Sequence, residues 1–204
     1  MKKLLIICLL CIPVFLYSED NKNELTFKLG ITPYSILNYD TEAIAKNSNQ
    51  RLGGLGFMLT TEYFRKLNEL FSLGIGLSQQ FDRAMSDNDG SLYFTSVYVA
   101  PKIKIYRDVY FVAQIGASFI NSNQLLGGLL NFDRKRPGMY YGVGAGYTYN
   151  NFIFEFLYSI NQAFYEFDIM HTDSSGDNIY RYMVLERKET YQTFNFNIGY
   201  KFGF

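Results

Sequence analysis

The chain has no tryptophan, one histidine, four prolines and two cysteines, and both cysteines fall within its first eleven residues. Each scarcity narrows what the protein can be. With Cys8 and Cys11 confined to an apolar start, the remainder can hold no disulfide, thiolate metal site or cysteine nucleophile. Ile7 and Leu10 stand before the cysteines, where a lipidation signal wants a small residue. Few prolines leave long stretches free to join a strand ladder. No HExxH, paired-cysteine or EF-hand spacing occurs, so no cofactor and no metal are expected. Gly142, Gly144 and Gly146 are spaced by one residue inside an alternating segment and make no phosphate loop; their spacing suggests lumen space beneath bulky neighbours or a point of strong curvature. Charge of one sign is also lacking. Beyond residue 18, 17 basic residues face 19 acidic ones, about −2 net, which argues against nucleic acid as a partner.

Long apolar runs are missing too. Leu4 to Leu16 is thirteen residues, short of the roughly 20 that a helix needs to cross a bilayer. It follows Lys2 and Lys3 and leads through Tyr17 and Ser18 into Glu19, Asp20 and Asn21. That order describes a secretory signal peptide, residues 1–18, cleaved after Ser18. Residues 19–204 then form one domain of 186 residues. Val109 to Phe132 is uncharged over 24 residues, but Gln114, Ser118, Asn121 and the Gly127-Gly128 pair do not suit a lipid-exposed helix.

What the chain does have is aromatic side chains, 18 % of it, and period-two alternation. Leu25, Phe27, Leu29 and Ile31 alternate with Thr26, Lys28, Gly30 and Thr32. The pattern recurs around Leu55 to Tyr63, Phe71 to Ser78, Ser96 to Ile105, Phe111 to Phe119, Tyr141 to Tyr149, Phe152 to Asn161 and Phe194 to Phe204. Leu157 interrupts the seventh stretch. Eight strands follow, each with an apolar and a polar face. Their connections alternate as well. Turns at Leu67 to Glu69, Arg107-Asp108 and Asn150-Asn151 are short; Leu37 to Arg51, Arg83 to Gly90, Ile120 to Pro137 and Glu166 to Glu189 are long and polar.

A soluble sandwich also alternates. Here the polar face is glycine, serine, threonine, asparagine and isolated charges, a poor core but a suitable lumen, while the apolar face carries large aromatics near strand ends. Strands that face lipid must close on themselves, because no water pairs an open edge. The fold class predicted is all-β, an eight-stranded antiparallel up-and-down transmembrane barrel with both termini on the short-turn side.

Counting back from Phe204, Phe202, Tyr200, Ile198 and Phe196 occupy every second place. This row resembles the C-terminal signal by which outer-membrane barrels are handed to their assembly machinery, a step suited to β-augmentation. Residues 25–204 as a whole resemble small outer-membrane β-barrels of the OmpX and OmpA-barrel type. The resemblance implies the fold, the outer membrane of a bacterium with two membranes, and the barrel-assembly machinery as a partner; outer-membrane lipid and an extracellular ligand taken by the loops are the other partners expected. It carries over no catalytic or binding residue.

Inward candidates for a lumen charge network are Lys28, Glu62, Lys102, Lys104, Glu155 and Lys201. Charges buried in so narrow a space must pair. They can plug the barrel, or gate an ion path if Glu62 and Glu155 exchange partners among the lysines. His171, with Asp173, Ser174 and Ser175, sits in the last long connection; an enzymatic rim site would use such residues, but so does any solvated turn. Arg134, Lys135 and Arg136 form a basic run in the third. The function expected is non-enzymatic: envelope integrity or surface interaction such as adhesion. The alternatives are a narrow porin-like channel, a lipid-modifying or proteolytic enzyme, and a soluble periplasmic ligand-binding barrel.

Overall fold

The computed structural model describes residues 22–41, 48–52, 55–84, 91–123, 134–169 and 183–204. The proposed signal peptide (residues 1–18) and His171, Asp173, Ser174 and Ser175 lie outside the described residues.

Nine strands run in chain order: β1 (Asn23–Thr41), β2 (Ser48–Leu52), β3 (Gly56–Lys66), β4 (Phe71–Ala84), β5 (Ser91–Tyr106), β6 (Val109–Asn123), β7 (Arg134–Tyr149), β8 (Phe152–Ile169) and β9 (Met183–Gly203). β2 and β3 both pair antiparallel with β1, from β3 onward each strand pairs antiparallel with the next, and β1 pairs with β9 from Glu24↔Gly203 to Thr41↔Arg187. That last pairing closes the sheet. β2 and β3 share one stave, since the upper half of β1 pairs with β2 and its lower half with β3. The result is an eight-stave closed barrel, the architecture that the alternation predicts. Among the described residues no helix is long and apolar enough to cross a membrane, and the uncharged stretch from Val109 is strand β6.

The turns explain the hairpins. Arg107 and Asn150 take positive φ, 46° and 54°, at the first position of two-residue connections, the twist that lets tight hairpins close. At residues 67–70 the Asn68 Oδ1 accepts the backbone N–H of Leu70 (2.9 Å) and Phe71 (2.7 Å), an Asx-type turn. Both described ends meet these turns: Asn23 N–H donates to the Phe204 carbonyl at 3.1 Å, and Phe204 N–H donates back at 3.0 Å. In an outer-membrane barrel this short-turn end faces the periplasm.

The strands outrun the sequence reading at the other end. β1 continues to Thr41, β7 begins at Arg134 and β8 reaches Ile169, all inside segments expected to be loops. In these extensions the simple apolar–polar alternation of the sequence fades while the strand pairing continues. Four register shifts interrupt the wall, and two of them lie between Ile31 and Tyr34 and between Pro137 and Tyr140. Pro33 and Pro137 sit at these two shifts, where a missing N–H costs the ladder least. At Gly138 a Cβ would lie 2.1 Å from the Gln162 carbonyl oxygen, so the shift there admits no side chain.

Burial inverts that of a soluble protein. Phe27, Ile75 and Phe156 are 48 %, 61 % and 68 % exposed, and staves throughout the barrel present similar rows; Glu62 and Glu155 are 0 % and 1 % exposed. Soluble monomers rarely expose an apolar patch beyond roughly 300–600 Å². A continuous apolar belt of this kind is stable only against lipid.

Candidate functional site

The interior is stacked in layers because inward positions recur every second residue on every stave. At the turn end, Glu24 is buried and takes three lysines: Lys102 at 3.0 Å, Lys66 at 3.2 Å and Lys201 at 3.6 Å. The Lys102 ammonium also lies 4.0 Å from the centre of the Phe64 ring, a cation–π contact. Around them opens a vestibule of about 400 Å³.

The next layer is buried throughout. Lys28 Nζ stands 2.8 and 2.7 Å from the two carboxylate oxygens of Glu155 and 2.6 Å from Glu62 Oε2. One cation between two carboxylates leaves a negative charge in excess, and neutral donors spread it. Tyr98 Oη (2.9 Å) and Gln114 Nε2 (3.0 Å) donate to Glu62; Tyr110 Oη (2.9 Å) and Asn197 Nδ2 (3.1 Å) donate to Glu155. Tyr140 Oη donates to Gln114 Oε1 at 2.6 Å, which turns the Gln114 amide toward Glu62. Charge buried in a space of low dielectric persists only with such company.

Glycines make the space for these rings. A Cβ at Gly76 would lie 2.4 Å from the Tyr98 ring, and one at Gly146 would lie 2.3 Å from that of Tyr110. Leu157, the apolar exception in the polar row of β8, points inward opposite Gly144. Higher up, Asn161 Oδ1 accepts from Ser96 (2.7 Å) and Ser118 (3.0 Å), and Asn195 donates to Ser159 and Thr193. Above that polar layer Phe94 and Tyr191 stack, centroids 5.2 Å apart and planes within 9°, beside buried Leu37 and Ala163.

Of the six lumen charges anticipated from the sequence, the structure brings Lys28, Glu62 and Glu155 into one cluster. Lys102 and Lys201 join Glu24 in a second, and Lys104 is exposed on the vestibule rim. Sequence reasoning missed Glu24, Lys66, Tyr110, Gln114, Tyr140 and Asn197 as members of these clusters. Parity was the available signal, because Gln114 and Asn197 share the inward phase of their strands. The C-terminal row faces outward: Phe202 meets Phe27 edge-on at 6.1 Å, Tyr200 meets Phe152 at 5.4 Å, and Phe196 meets Phe156 at 5.0 Å. Ile198 belongs to the same exposed row, and Phe204 ends it beside Asn23.

No protein-family model and no curated relative matches the chain. Solved structures do. The attachment invasion locus protein Ail of Yersinia pestis superposes with a TM-score of 0.51 at 17 % identity, over 89 % of this chain and 99 % of that one. The fold is that of a small outer-membrane β-barrel. A second structure of Ail, in complex with the heparin analogue sucrose octasulfate, gives the same figures. Neisserial surface protein A aligns over 87 % of this chain and 97 % of its own at 13 % identity, with a TM-score of 0.44. As an outer-membrane barrel the chain has its apolar belt in lipid.

Proposed function

We propose that this outer-membrane barrel is a non-enzymatic, non-conducting stem whose work is done at its extracellular end, in surface interaction such as adhesion or in envelope integrity. The observation that carries the reading is the filled interior. Lys28, Glu62 and Glu155 occupy the middle of the lumen and the Phe94–Tyr191 stack closes it above. Eight strands leave a bore only wide enough for side chains or one small ligand.

Strand length supports the same reading. A tilted crossing takes about 9–11 residues, whereas β8 has 18 and β9 has 21. The surplus stands above the lipid as paired sheet, a rigid mount for whatever the connections recognise. Ail, described as an attachment protein, holds a heparin analogue in one of its structures. An extracellular ligand for this chain is proposed on that analogy of fold. The outward row Phe196, Ile198, Tyr200 and Phe202 is further proposed as the face of β9 that the assembly machinery captures.

A second reading, a narrow channel, draws on the vestibule beneath Glu24. It requires Lys28 to leave both carboxylates. Reconstitution in planar bilayers tests the two together with attachment of cells that display the barrel. Silent bilayers and attachment that follows display are the expected results. Stepwise conductance lost on changing Lys28, Glu62 or Glu155 would replace the stem with the channel. Attachment equal with and without the barrel would remove the adhesive role.

A further inference from the structure

The vestibule at the turn end has a composition that a plug does not need. Five cations line it: Lys66, Lys102, Lys104, Arg107 and Lys201. Only three carboxylates, Glu24, Glu69 and Asp108, line it with them. Three of the lysines converge on the single carboxylate of Glu24, at 3.0 to 3.6 Å. Lys102 and Lys201 alone carry six N–H donors, and one carboxylate offers about four lone-pair positions. The arrangement therefore keeps donor capacity aimed into the cavity after Glu24 is saturated.

Neutral donors face the same space. The hydroxyls of Ser72 and Thr148 line it, and so does Asn68. The Asn68 Oδ1 is committed to the turn, accepting from Leu70 and Phe71, so its amide nitrogen is the part left to bind a ligand. The cup is closed off by Tyr110, whose hydroxyl is tied to Glu155, and the Phe64 ring holds the Lys102 ammonium at 4.0 Å from its centre. Beyond Tyr110 the Lys28 layer blocks the bore. The cavity is thus a dead end, wide enough at about 400 Å³ for a small polyvalent anion. Lysines act as compact point charges suited to phosphate, where planar carboxylates favour the fork of arginine.

We propose that the vestibule is a binding site for a phosphate-bearing anion presented from the periplasmic side, with Glu24 as the built-in counter-ion that gathers Lys66, Lys102 and Lys201. The phosphate is either that of a small solute or that of an inner-leaflet lipid headgroup bending over the rim. Glu24 competes with it for the same lysines, so the carboxylate tunes the affinity downward.

The test uses the barrel folded in a neutral alkyl maltoside, titrated calorimetrically with inorganic pyrophosphate at low ionic strength. Saturable binding that weakens as sodium chloride is added is the expected result. Lys102→Met and Lys201→Met each reduce affinity at least tenfold, Glu24→Gln raises it several-fold, and Lys188→Met, on the opposite end of β9, leaves it unchanged. Heat-dependent mobility on gels confirms that each variant is folded; should Lys102→Met fail there, the exposed Lys104→Gln takes its place, with a loss of a fewfold expected. No saturable binding, affinity indifferent to the vestibule lysines, or a Glu24→Gln variant that binds more weakly would each overturn the site. Bilayer discs distinguish the sources. A lower apparent affinity for pyrophosphate in discs containing phosphatidic acid than in phosphatidylcholine discs assigns the site to a headgroup, and equal affinities assign it to a solute.

Discussion

Lys28 and Glu155 meet at two points, with one ammonium 2.8 and 2.7 Å from both oxygens of one carboxylate, across 127 residues of sequence. Glu62 approaches the same nitrogen from β3 at 2.6 Å, so three staves are bound through a single cation. Such a centre specifies the barrel register as much as it stabilises the fold. Its energetics follow from what removal of the cation leaves behind.

Lys28→Met leaves two carboxylates facing each other in a space without bulk water. Breaking a buried pair by deleting one partner costs about 3–5 kcal/mol, most of it from the orphaned charge. The urea midpoint of the refolded barrel, followed by gel mobility, should fall accordingly. The triple variant Lys28→Met, Glu62→Gln, Glu155→Gln should recover more than half of the loss, because it removes the uncompensated charge. A triple variant weaker than the single one would show that the ion cluster itself, not its neutrality, holds the staves.

Two glycines with the same parent residue and opposite surroundings give a paired prediction. A Cβ at Gly116 would lie 1.9 Å from the Val97 carbonyl oxygen, and one at Gly203 would meet nothing within 4 Å. Backbone cannot swing aside as a side chain can. Gly116→Ala should lower stability by about 1–3 kcal/mol, the range for overpacking, and Gly203→Ala should leave the urea midpoint unchanged. Equal midpoints would mean that β5 and β6 stand further apart than described.

The barrel was legible because lipid and lumen impose opposite chemistry on neighbouring residues, so that Phe27 and Lys28 declare two faces without any knowledge of their partners. Where that contrast weakens, legibility weakens with it. Glu24 precedes Leu25, the first residue at which alternation can be recognised, and the vestibule stayed hidden behind it. Tyr110 and Tyr140 each adjoin an outward aromatic, Phe111 and Tyr141, and composition cannot tell the inward ring from the outward one; only register, Tyr110↔Gly146 and Gly116↔Tyr140, does so. The ion cluster needed distance. Nothing in the spacing of Lys28, Glu62, Lys102 and Glu155 says that Lys28 takes both carboxylates while Lys102 turns down to Glu24.

The stacked pair Phe94 and Tyr191 joins β5 to β9 across the bore, not along the wall. Truncating a buried aromatic costs about 3–5 kcal/mol, and the ring-to-ring share beyond area is about 0.5–1.5 kcal/mol. A double-mutant cycle of Phe94→Ala and Tyr191→Ala should therefore show positive coupling in that smaller range. The variants should still give silent bilayers, because the Lys28 layer beneath is untouched. Conductance in Phe94→Ala alone would transfer the seal from the charged layer to the aromatic one.

Exposure and depth can be separated with two residues of the same stave region. Ile75 is 61 % exposed in the middle of β4, and Leu70 is 62 % exposed in the turn that precedes it. A soluble barrel would treat both as surface and tolerate a charge at either. In lipid, arginine at the midplane costs about 2–4 kcal/mol and near the interface about 0–1 kcal/mol. Ile75→Arg should thus depress the urea midpoint in bilayers while Leu70→Arg leaves it nearly unchanged. The difference should shrink in detergent micelles, where the belt can deform around the guanidinium. Equal tolerance of both substitutions in bilayers would contradict the belt, since two side chains of matched exposure can differ only if one of them is submerged.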